Sequence, residues 1–536
     1  MKNLFTILLF WSSISLFSQE EAWVYFADKP NASYFLSNPT EMLTQRALDR
    51  RSNQNIALNI QDVPIHQLYV NLVATQAGIQ VKAQSKWLNC VHVRGSVSNI
   101  QALSSLAFVN QIRFANATLN AKFAVVKKEI VFQKNLEVQT TFAYGTSANQ
   151  IQMLNGHILH QQNYTGTGKI IAVLDSGFIN VNTAQPFERL FTNNLILGGY
   201  NFVSGNTNVY SLHNHGTLVL SSIGGFKVNQ LVGTAPDAQY YLYVTEDVTA
   251  ENPVEESYWV QAAEEADRVG ADIITSSLGY SDFDNPNYNH TYSDLTGNVA
   301  FASQGANIAF SKGIVVVASA GNSGASANPY IGVPAEATNV LAIGAVQANE
   351  NYASFSSIGP TFDNRIKPDL MAQGQSTYLS NTNGDIITAS GTSFSCPIMA
   401  GVIACFWQAA PNLTNQQLVD LIKQSADRFT NPNPQFGYGI PDFQEALNQY
   451  LLSIQSVSKN SLAVYPNPTT NFIHFPIAFA DNQPVVTIYN SLGQLIISKN
   501  INRQNFAIDV SNYSNGIYFF TVRSAASFYS GKFLKN

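Results

Sequence analysis

Ser393 stands in Gly391-Thr392-Ser393-Phe394-Ser395-Cys396-Pro397, just ahead of an apolar, helix-like stretch at 398–410 that Pro411 ends. A serine at a helix start lies near the positive end of the helix dipole. Its backbone N–H has no helical partner and can donate to a developing oxyanion. The same pattern suits an ordinary N-cap serine. A hydroxyl is a weak nucleophile and needs a base of near-neutral pKa. His215, in His213-Asn214-His215-Gly216-Thr217, can supply one. Taken alone it is equally a surface or core histidine, and the His213/His215 pair could hold a metal. Third and fourth ligands at a convincing spacing are missing from the sequence, so no metal site is assigned. Asp175 ends the apolar run 170–174 and precedes Ser176-Gly177. A carboxylate at the end of a buried strand is costly unless paired, and an imidazole N–H is a fitting partner. Asn322, in Val317-Ala318-Ser319-Ala320-Gly321-Asn322, ends another apolar run. Its amide can donate to an oxyanion, although asparagine is also a common turn residue.

Groups this far apart in sequence need a scaffold. Between 145 and 450, apolar runs at 169–174, 239–244, 272–276, 314–319 and 340–345 alternate with helix-like stretches such as 255–269 and 298–311. Runs apolar on both faces predict strands buried on both faces, hence an α/β domain with a parallel sheet covered by helices. In such sheets the working residues gather at the carboxyl ends of the strands. Before it, 19–140 reads as a small α+β unit, helical at 68–78 and 98–106 and strand-like at 91–94. It ends in an exposed connector at 117–144. After a Ser/Asn-rich linker at 451–463, residues 464–536 alternate short strands with turns, as a small β-sandwich does.

Bulk composition narrows the class. The chain of 536 residues is too long for one core. At 45% apolar and 12% charged residues it is globular, and a net charge of −6 without basic blocks argues against nucleic acid as a partner. Residues 1–18 pair Lys2 with an apolar run and end in the small Ser18, which predicts a secretory signal and a secreted protein. Cys90, Cys396 and Cys405 are too few and too scattered for a disulfide framework. The last two would lie about 13 Å apart along one helix, so all three are expected as buried thiols.

The order Asp-Ser-Gly, His-Gly-Thr, Ser-Leu-Gly, Ala-Gly-Asn and Gly-Thr-Ser-x-Ser-x-Pro resembles the subtilisin family of serine proteases over about 145–450. The resemblance implies Asp175 as orienting acid, His215 as general base and acid, and Ser393 as nucleophile. Asn322 and the Ser393 N–H form the oxyanion hole. Ser277, Leu278 and Gly279 resemble the strand that pairs with substrate. Ala318, Ser319, Ala320 and Gly321 resemble a wall of the main specificity pocket. The implied protein is a serine endopeptidase acting on proteins or peptides through an acyl-enzyme. Four residues depart from the family's usual ones: Leu218, Phe394, Ser395 and Ile398. No acidic calcium loop is recognisable around 222–233, so no cofactor is expected, with calcium left open.

The flanks extend the likeness. The first unit resembles the propeptide of such proteases, so the chain's own propeptide is an expected partner. Residues 464–536 resemble the C-terminal sorting domain of the type IX secretion system of Gram-negative bacteria. Tyr465-Pro-Asn-Pro468, Ile488–Gln494, Asn515-Gly-Ile-Tyr518 and Gly531-Lys532 carry that match. The secretion machinery is then a partner, and export to the cell surface or beyond through the periplasm is expected. The domains are read as 1–18 signal, 19–140 propeptide and connector, 141–450 peptidase, 451–463 linker and 464–536 sorting domain, in a monomer. Two rivals stand: a catalytically dead scaffold acting as a secreted adhesin, and a cysteine hydrolase using Cys396.

Overall fold

The structure, a computed structural model, describes residues 19–120, 142–456, 460–475, 484–491, 494–500, 507–523 and 528–536. The expected signal at 1–18 and residues 121–141 of the expected connector lie outside them. The chain divides into two units, 1–449 and 450–536.

The first unit opens with β1 (Gln19–Phe26). Helices α1 (Gln45–Asn53) and α2 (Gln67–Ala74) follow, then β2 (Gln80–Ser85), β3 (Cys90–Ser96), the short α3 (Val97–Ala102) and β4 (Val109–Phe114). The strands form an antiparallel sheet in the order β2-β3-β1-β4. Because side chains alternate along a strand, β1 serves two cores at once. Ala22, Val24 and Phe26 pack with Val70, Val73 and Ile100 of α2 and α3. Trp23 faces the other way and joins Trp87 and Cys90 in the core of the following domain, stacked on Phe301 with ring centroids 4.9 Å apart.

That domain is built on seven parallel strands: β5 (Ile170–Asp175), β6 (Ile196–Asn201), β7 (Gln239–Val244), β8 (Ile273–Ser276), β9 (Val315–Ser319), β10 (Leu341–Val346) and β11 (Leu370–Gln373). Their order is β11-β10-β9-β8-β5-β7-β6. Every residue of β5, β8, β9, β10 and β11 is buried, as expected for strands covered on both faces. The covering helices include α4 (His215–Gly224), α5 (Val254–Val269), α6 (Phe301–Ser311), α7 (Thr392–Ala409), α8 (Asn415–Gln424) and α9 (Phe443–Ser456). Helix α7 is apolar all round because it is buried from Thr392 to Trp407. The order of strands reverses beside β5, the kind of crevice where open α/β sheets bind ligands. The three cysteines are buried and unpaired.

In the second unit, β12 (Phe472–His474), β13 (Val485–Tyr489), β14 (Leu495–Asn500), β15 (Ala507–Asp509), β16 (Gly516–Arg523) and β17 (Phe528–Lys535), together with the two-residue strand Asn460–Ser461, form a five-stranded and a two-stranded sheet. Ile473 and Ile508 of the small sheet face Val486, Ile488, Phe520 and Phe533 of the large one in one core. The stretch read as a linker is partly structured. Helix α9 runs to Ser456, and Asn460–Ser461 pairs with β17.

Candidate active site

Asp175, His215, Ser393 and Asn322 all lie on the carboxyl-end side of the sheet. Asp175 is the last residue of β5 and fully buried. One carboxylate oxygen, Oδ1, accepts from the Ser176 N–H at 2.8 Å and from the Ser176 hydroxyl at 3.2 Å. His215 opens α4, and its Nδ1–H donates to the same oxygen at 2.8 Å. Asp175 Oδ2 is buried and has no hydrogen-bond partner among the described residues. The turn after Asp175 needs Gly177: its φ is +144°, and a Cβ there would lie 2.2 Å from the Ser211 carbonyl and 2.6 Å from the His213 nitrogen. That close approach brings the 211–213 loop, and so His215, against the end of β5.

Burial alone would lower the His215 pKa, but the Asp175 carboxylate outweighs it and holds the pKa above the ordinary histidine value. His213 lies beside the pair. The His213 Nδ1 accepts from the His215 backbone N–H at 3.3 Å and lies 3.3 Å from the Ser176 hydroxyl.

Ser393 is the second residue of α7 and is 9% exposed. Its hydroxyl donates to the Ser277 carbonyl at 3.4 Å, a long bond. Among the described residues no hydrogen bond joins Ser393 Oγ to His215, and such bonds are often loose without substrate. Four residues on, Pro397 lacks an N–H, so the Ser393 carbonyl loses its helical partner. The Ser277 hydroxyl donates to that carbonyl at 2.8 Å. The proline therefore ties the serine turn to the strand expected to pair with substrate. Phe394, at one of the departures from the family pattern, has its ring 6.0 Å from that of His215.

Asn322 is exposed just beyond β9. Its Oδ1 accepts from the Thr392 N–H at 2.9 Å and from the Thr392 hydroxyl at 3.1 Å. With the oxygen held, the NH₂ is the end left to donate toward a ligand. Thr392 also accepts from the Gly321 N–H at 3.2 Å. At Gly321 φ is +105° and a Cβ would crowd Ser357 Oγ at 2.8 Å, so the turn that presents Asn322 favours glycine.

Ser277, Leu278 and Gly279 continue β8, and Ala318, Ser319, Ala320 and Gly321 end and continue β9. The two strands pair up to Ser276 and Ala318, and no further ladder is described between them. Their divergence beside Ser393 leaves Leu278 half-buried and Gly279 exposed. Cys396 is buried, 3.5 Å from Thr275 Oγ1, and burial pushes its thiol up to about 12. A thiol held protonated in the core is no nucleophile, which removes the cysteine-hydrolase rival. The stretch without an acidic calcium signature folds partly as a hairpin, Phe226–Lys227 with Leu231–Val232.

Three features escape the sequence reading. Thr392 as the anchor of Asn322 has no motif-free signature. The Pro397–Ser277 link was legible only as a proline four residues beyond a serine. Glu246, two residues past β7, accepts from the Tyr280 hydroxyl at 2.6 Å. Burial raises its carboxyl to about 8.

A parallel sheet with Asp, His and Ser in that chain order, and an asparagine amide beside the serine, is the arrangement of a subtilisin-type serine peptidase. The chain belongs to the Subtilase family, whose profile matches residues 166–440. A Peptidase S8 propeptide domain of Bacteroidota matches 21–131, and a secretion system C-terminal sorting domain matches 463–536. Subtilisin DY of Bacillus licheniformis is 30% identical over 291 residues, 54% of this chain and 93% of that protein. Subtilisin E of Bacillus subtilis (strain 168) is 31% identical over 299 residues, 55% of this chain and 70% of that protein. The solved structure of the epidermin leader peptide processing serine protease of Staphylococcus aureus aligns with a TM-score of 0.52 and 16% identity. It covers 80% of this chain and 98% of that one, a likeness of fold. The protein is thus a subtilase with its propeptide, and its sorting domain marks it for export, secreted or held at the cell surface.

Proposed function

We propose that the protein is an active endopeptidase that hydrolyses peptide bonds through an acyl-enzyme on Ser393. The observation that carries the reading is the oriented pair at its centre, His215 Nδ1 on Asp175 Oδ1 at 2.8 Å. That bond fixes the tautomer in which Nε2 is the base. Ser393 attacks the scissile carbonyl while His215 takes its proton. The Asn322 NH₂ and the Ser393 N–H hold the oxyanion, and His215 then protonates the leaving amine. Water repeats the cycle and releases the acid. Ser277, Leu278 and Gly279 pair with the substrate backbone. The small residues Ala318, Ser319, Ala320 and Gly321 line the pocket without a charge, which favours broad or apolar preference. Residues 19–140 are made ahead of this machinery as its propeptide, and the sorting domain engages the type IX machinery. Fluorophosphonate labelling tests the reading against a dead adhesive scaffold. Labelling that Ser393→Ala abolishes supports it. A folded chain that neither labels nor degrades casein overturns it.

A further inference from the structure

The pocket wall at 318–321 carries no charge, so a charged preference has to come from another position along the substrate. One carboxyl beside the triad takes no part in the acyl-enzyme cycle. Strand β7 pairs with β5, Val244 is in register with Asp175, and the Thr245 N–H donates to the Asp175 carbonyl at 3.0 Å. Glu246 therefore stands just past the end of β5 that carries Asp175. On the other side of β5, Ser276 is in register with Leu174, so the 277–279 strand leaves the sheet beside the same end. The Tyr280 hydroxyl reaches from that strand to Glu246 Oε1 at 2.6 Å, and the Thr245 hydroxyl donates to the same oxygen at 3.2 Å. Tyr280 is buried, and its N–H is held by the Val333 carbonyl at 2.9 Å. Glu246 itself is half-buried, and among the described residues its Oε2 has no hydrogen-bond partner.

The neighbouring acids are otherwise engaged. Glu255 accepts from the Asp247 and Asn252 backbone N–H groups at 2.8 and 2.9 Å and shapes the loop after Glu246. Glu256 pairs with His290 at 2.8 Å, and Asp282 accepts from Asn289 at 3.0 Å. Residues 245–256 and 277–291 contain no lysine or arginine. Burial raises the Glu246 carboxyl, and the charges of Glu251 and Asp175 push it the same way. A carboxyl fixed by one oxygen, open at the other and set among acids favours a cation over a neutral hydrogen-bonding group.

The direction of the substrate decides which side chain would carry that cation. The Ser393 hydroxyl lies 3.4 Å from the Ser277 carbonyl, so the residue cut sits beside Ser277 and the upstream chain runs along 278–279. Successive side chains of an extended strand face opposite ways. The first upstream side chain enters the pocket on the β9 side. The second faces the other way, toward the end of β5, where His215 and Glu246 stand.

We propose that Glu246 sets substrate preference: its Oε2 receives the ammonium or guanidinium of a lysine or arginine at the second residue upstream of the scissile bond. This rests on the peptidase function above and narrows its substrate class to chains with a basic residue at that position.

The test uses the full chain and peptides matched except at one of the four residues upstream of the cut, which carries arginine, norleucine or glutamate. At the second residue kcat/KM should fall in the order arginine, norleucine, glutamate. Arginine should lead norleucine by roughly ten-fold, the scale of a hydrogen bond to a charged group. Glu246→Gln should bring that ratio near one, and Glu246→Arg should put glutamate ahead of arginine. Tyr280→Phe, which removes a hydrogen bond from Oε1, should narrow the ratio. Equal rates for arginine and norleucine at the second residue, or a ratio that Glu246→Gln leaves alone, overturn the proposal, and Glu246 then only braces Tyr280. Arginine favoured only at the first, third or fourth residue overturns it too. A folded chain that cleaves no peptide and takes no fluorophosphonate overturns the peptidase reading, and binding to Ser393→Ala, measured by calorimetry, then judges the contact. Tighter binding of the arginine peptide, lost when Glu246→Gln is added, supports it. Equal binding of the arginine and norleucine peptides overturns it.

Discussion

At the amino ends of β5, β8 and β9, Arg46, Arg50, Arg51 and Lys312 each stand against a carboxylate of Asp272, Asp267 or Asp62. At the carboxyl ends of the same strands the polar groups are held more sparingly. Among the described residues Asp175 Oδ2 has no partner, Ser393 Oγ has one long bond, and Asn322 is anchored by its oxygen alone. One sheet thus carries paired buried charge at one end and sparsely held polar groups at the other, although at the charged end too Arg50 Nε and Arg51 Nε and Nη1 are buried without a hydrogen-bond partner among the described residues. Buried ion pairs bear on stability, because removing one partner strands the other. Substitutions at one end should therefore change rate, and at the other stability.

The largest effect belongs to the reactive end. Ser393→Ala or His215→Ala should lower kcat by about 10⁶-fold, the scale measured when a subtilisin triad member is lost. The melting temperature should stay near that of the parent. A folded Ser393→Ala protein with near-parental casein hydrolysis would remove the nucleophile assignment. Next comes Asn322→Ala. In subtilisin, loss of the oxyanion asparagine lowers kcat by about 100- to 1,000-fold, and the same is expected here with KM little changed. A KM effect at constant kcat would make Asn322 a ground-state binder.

The end with paired charge should respond in the opposite sense. Arg51→Ala leaves Asp267 and Asp62 short of a buried partner and should cost about 3 kcal/mol in the uncut chain, read by urea unfolding. Activity per folded molecule should be unchanged. A large loss of kcat without loss of stability would mean that the two ends are coupled.

The pH profile sharpens the comparison at His215. In its proposed role as base His215 must be neutral, and Asp175 favours the protonated imidazole. The acid limb of kcat/KM should therefore have its midpoint above the ordinary histidine value of 6.5. Activity is lost on acidification sooner than an unperturbed histidine would lose it. In Asp175→Asn the midpoint should move to lower pH, with the remaining rate about 10⁴-fold down. A parental midpoint below 6.5 would show that burial, not Asp175, dominates.

The reactive end was the more legible in sequence, for a physical reason. Its residues terminate uniformly apolar runs, so Asp175 and Asn322 stand out against buried strands, and glycines mark the turns that present them. Helix α1 has no such contrast. Gln45–Asn53 is polar on most of its surface, and Arg46, Arg50 and Arg51 read as an ordinary solvated helix face until Asp267 is seen opposite. β1 was hidden in the same way. It begins Gln19-Glu20-Glu21, yet both glutamates are buried, Glu20 with Tyr288 and Glu21 with His92 and Arg94. β6 carries Gly198-Gly199 and β11 is four residues long, so neither announced itself. What local pattern could not carry was pairing between distant charges.

The smallest effect tests a link that no motif contains, and it bears on whether the reactive end is held at all. Thr392 grips Asn322 Oδ1 through both its N–H and its hydroxyl, and the hydroxyl also takes the Gly321 N–H. Thr392→Val keeps the shape and the backbone bond but removes the hydroxyl. Asn322 then keeps one anchor, and Gly321 loses its acceptor. A neutral hydrogen bond is worth about 1 kcal/mol, which corresponds to roughly a five-fold loss if it falls on the transition state alone. The expected result is that loss in kcat with KM constant. It should vanish in an Asn322→Ala background, because the anchor then has nothing to orient. An equal loss in both backgrounds would mean that Thr392 supports the α7 turn itself and not the asparagine.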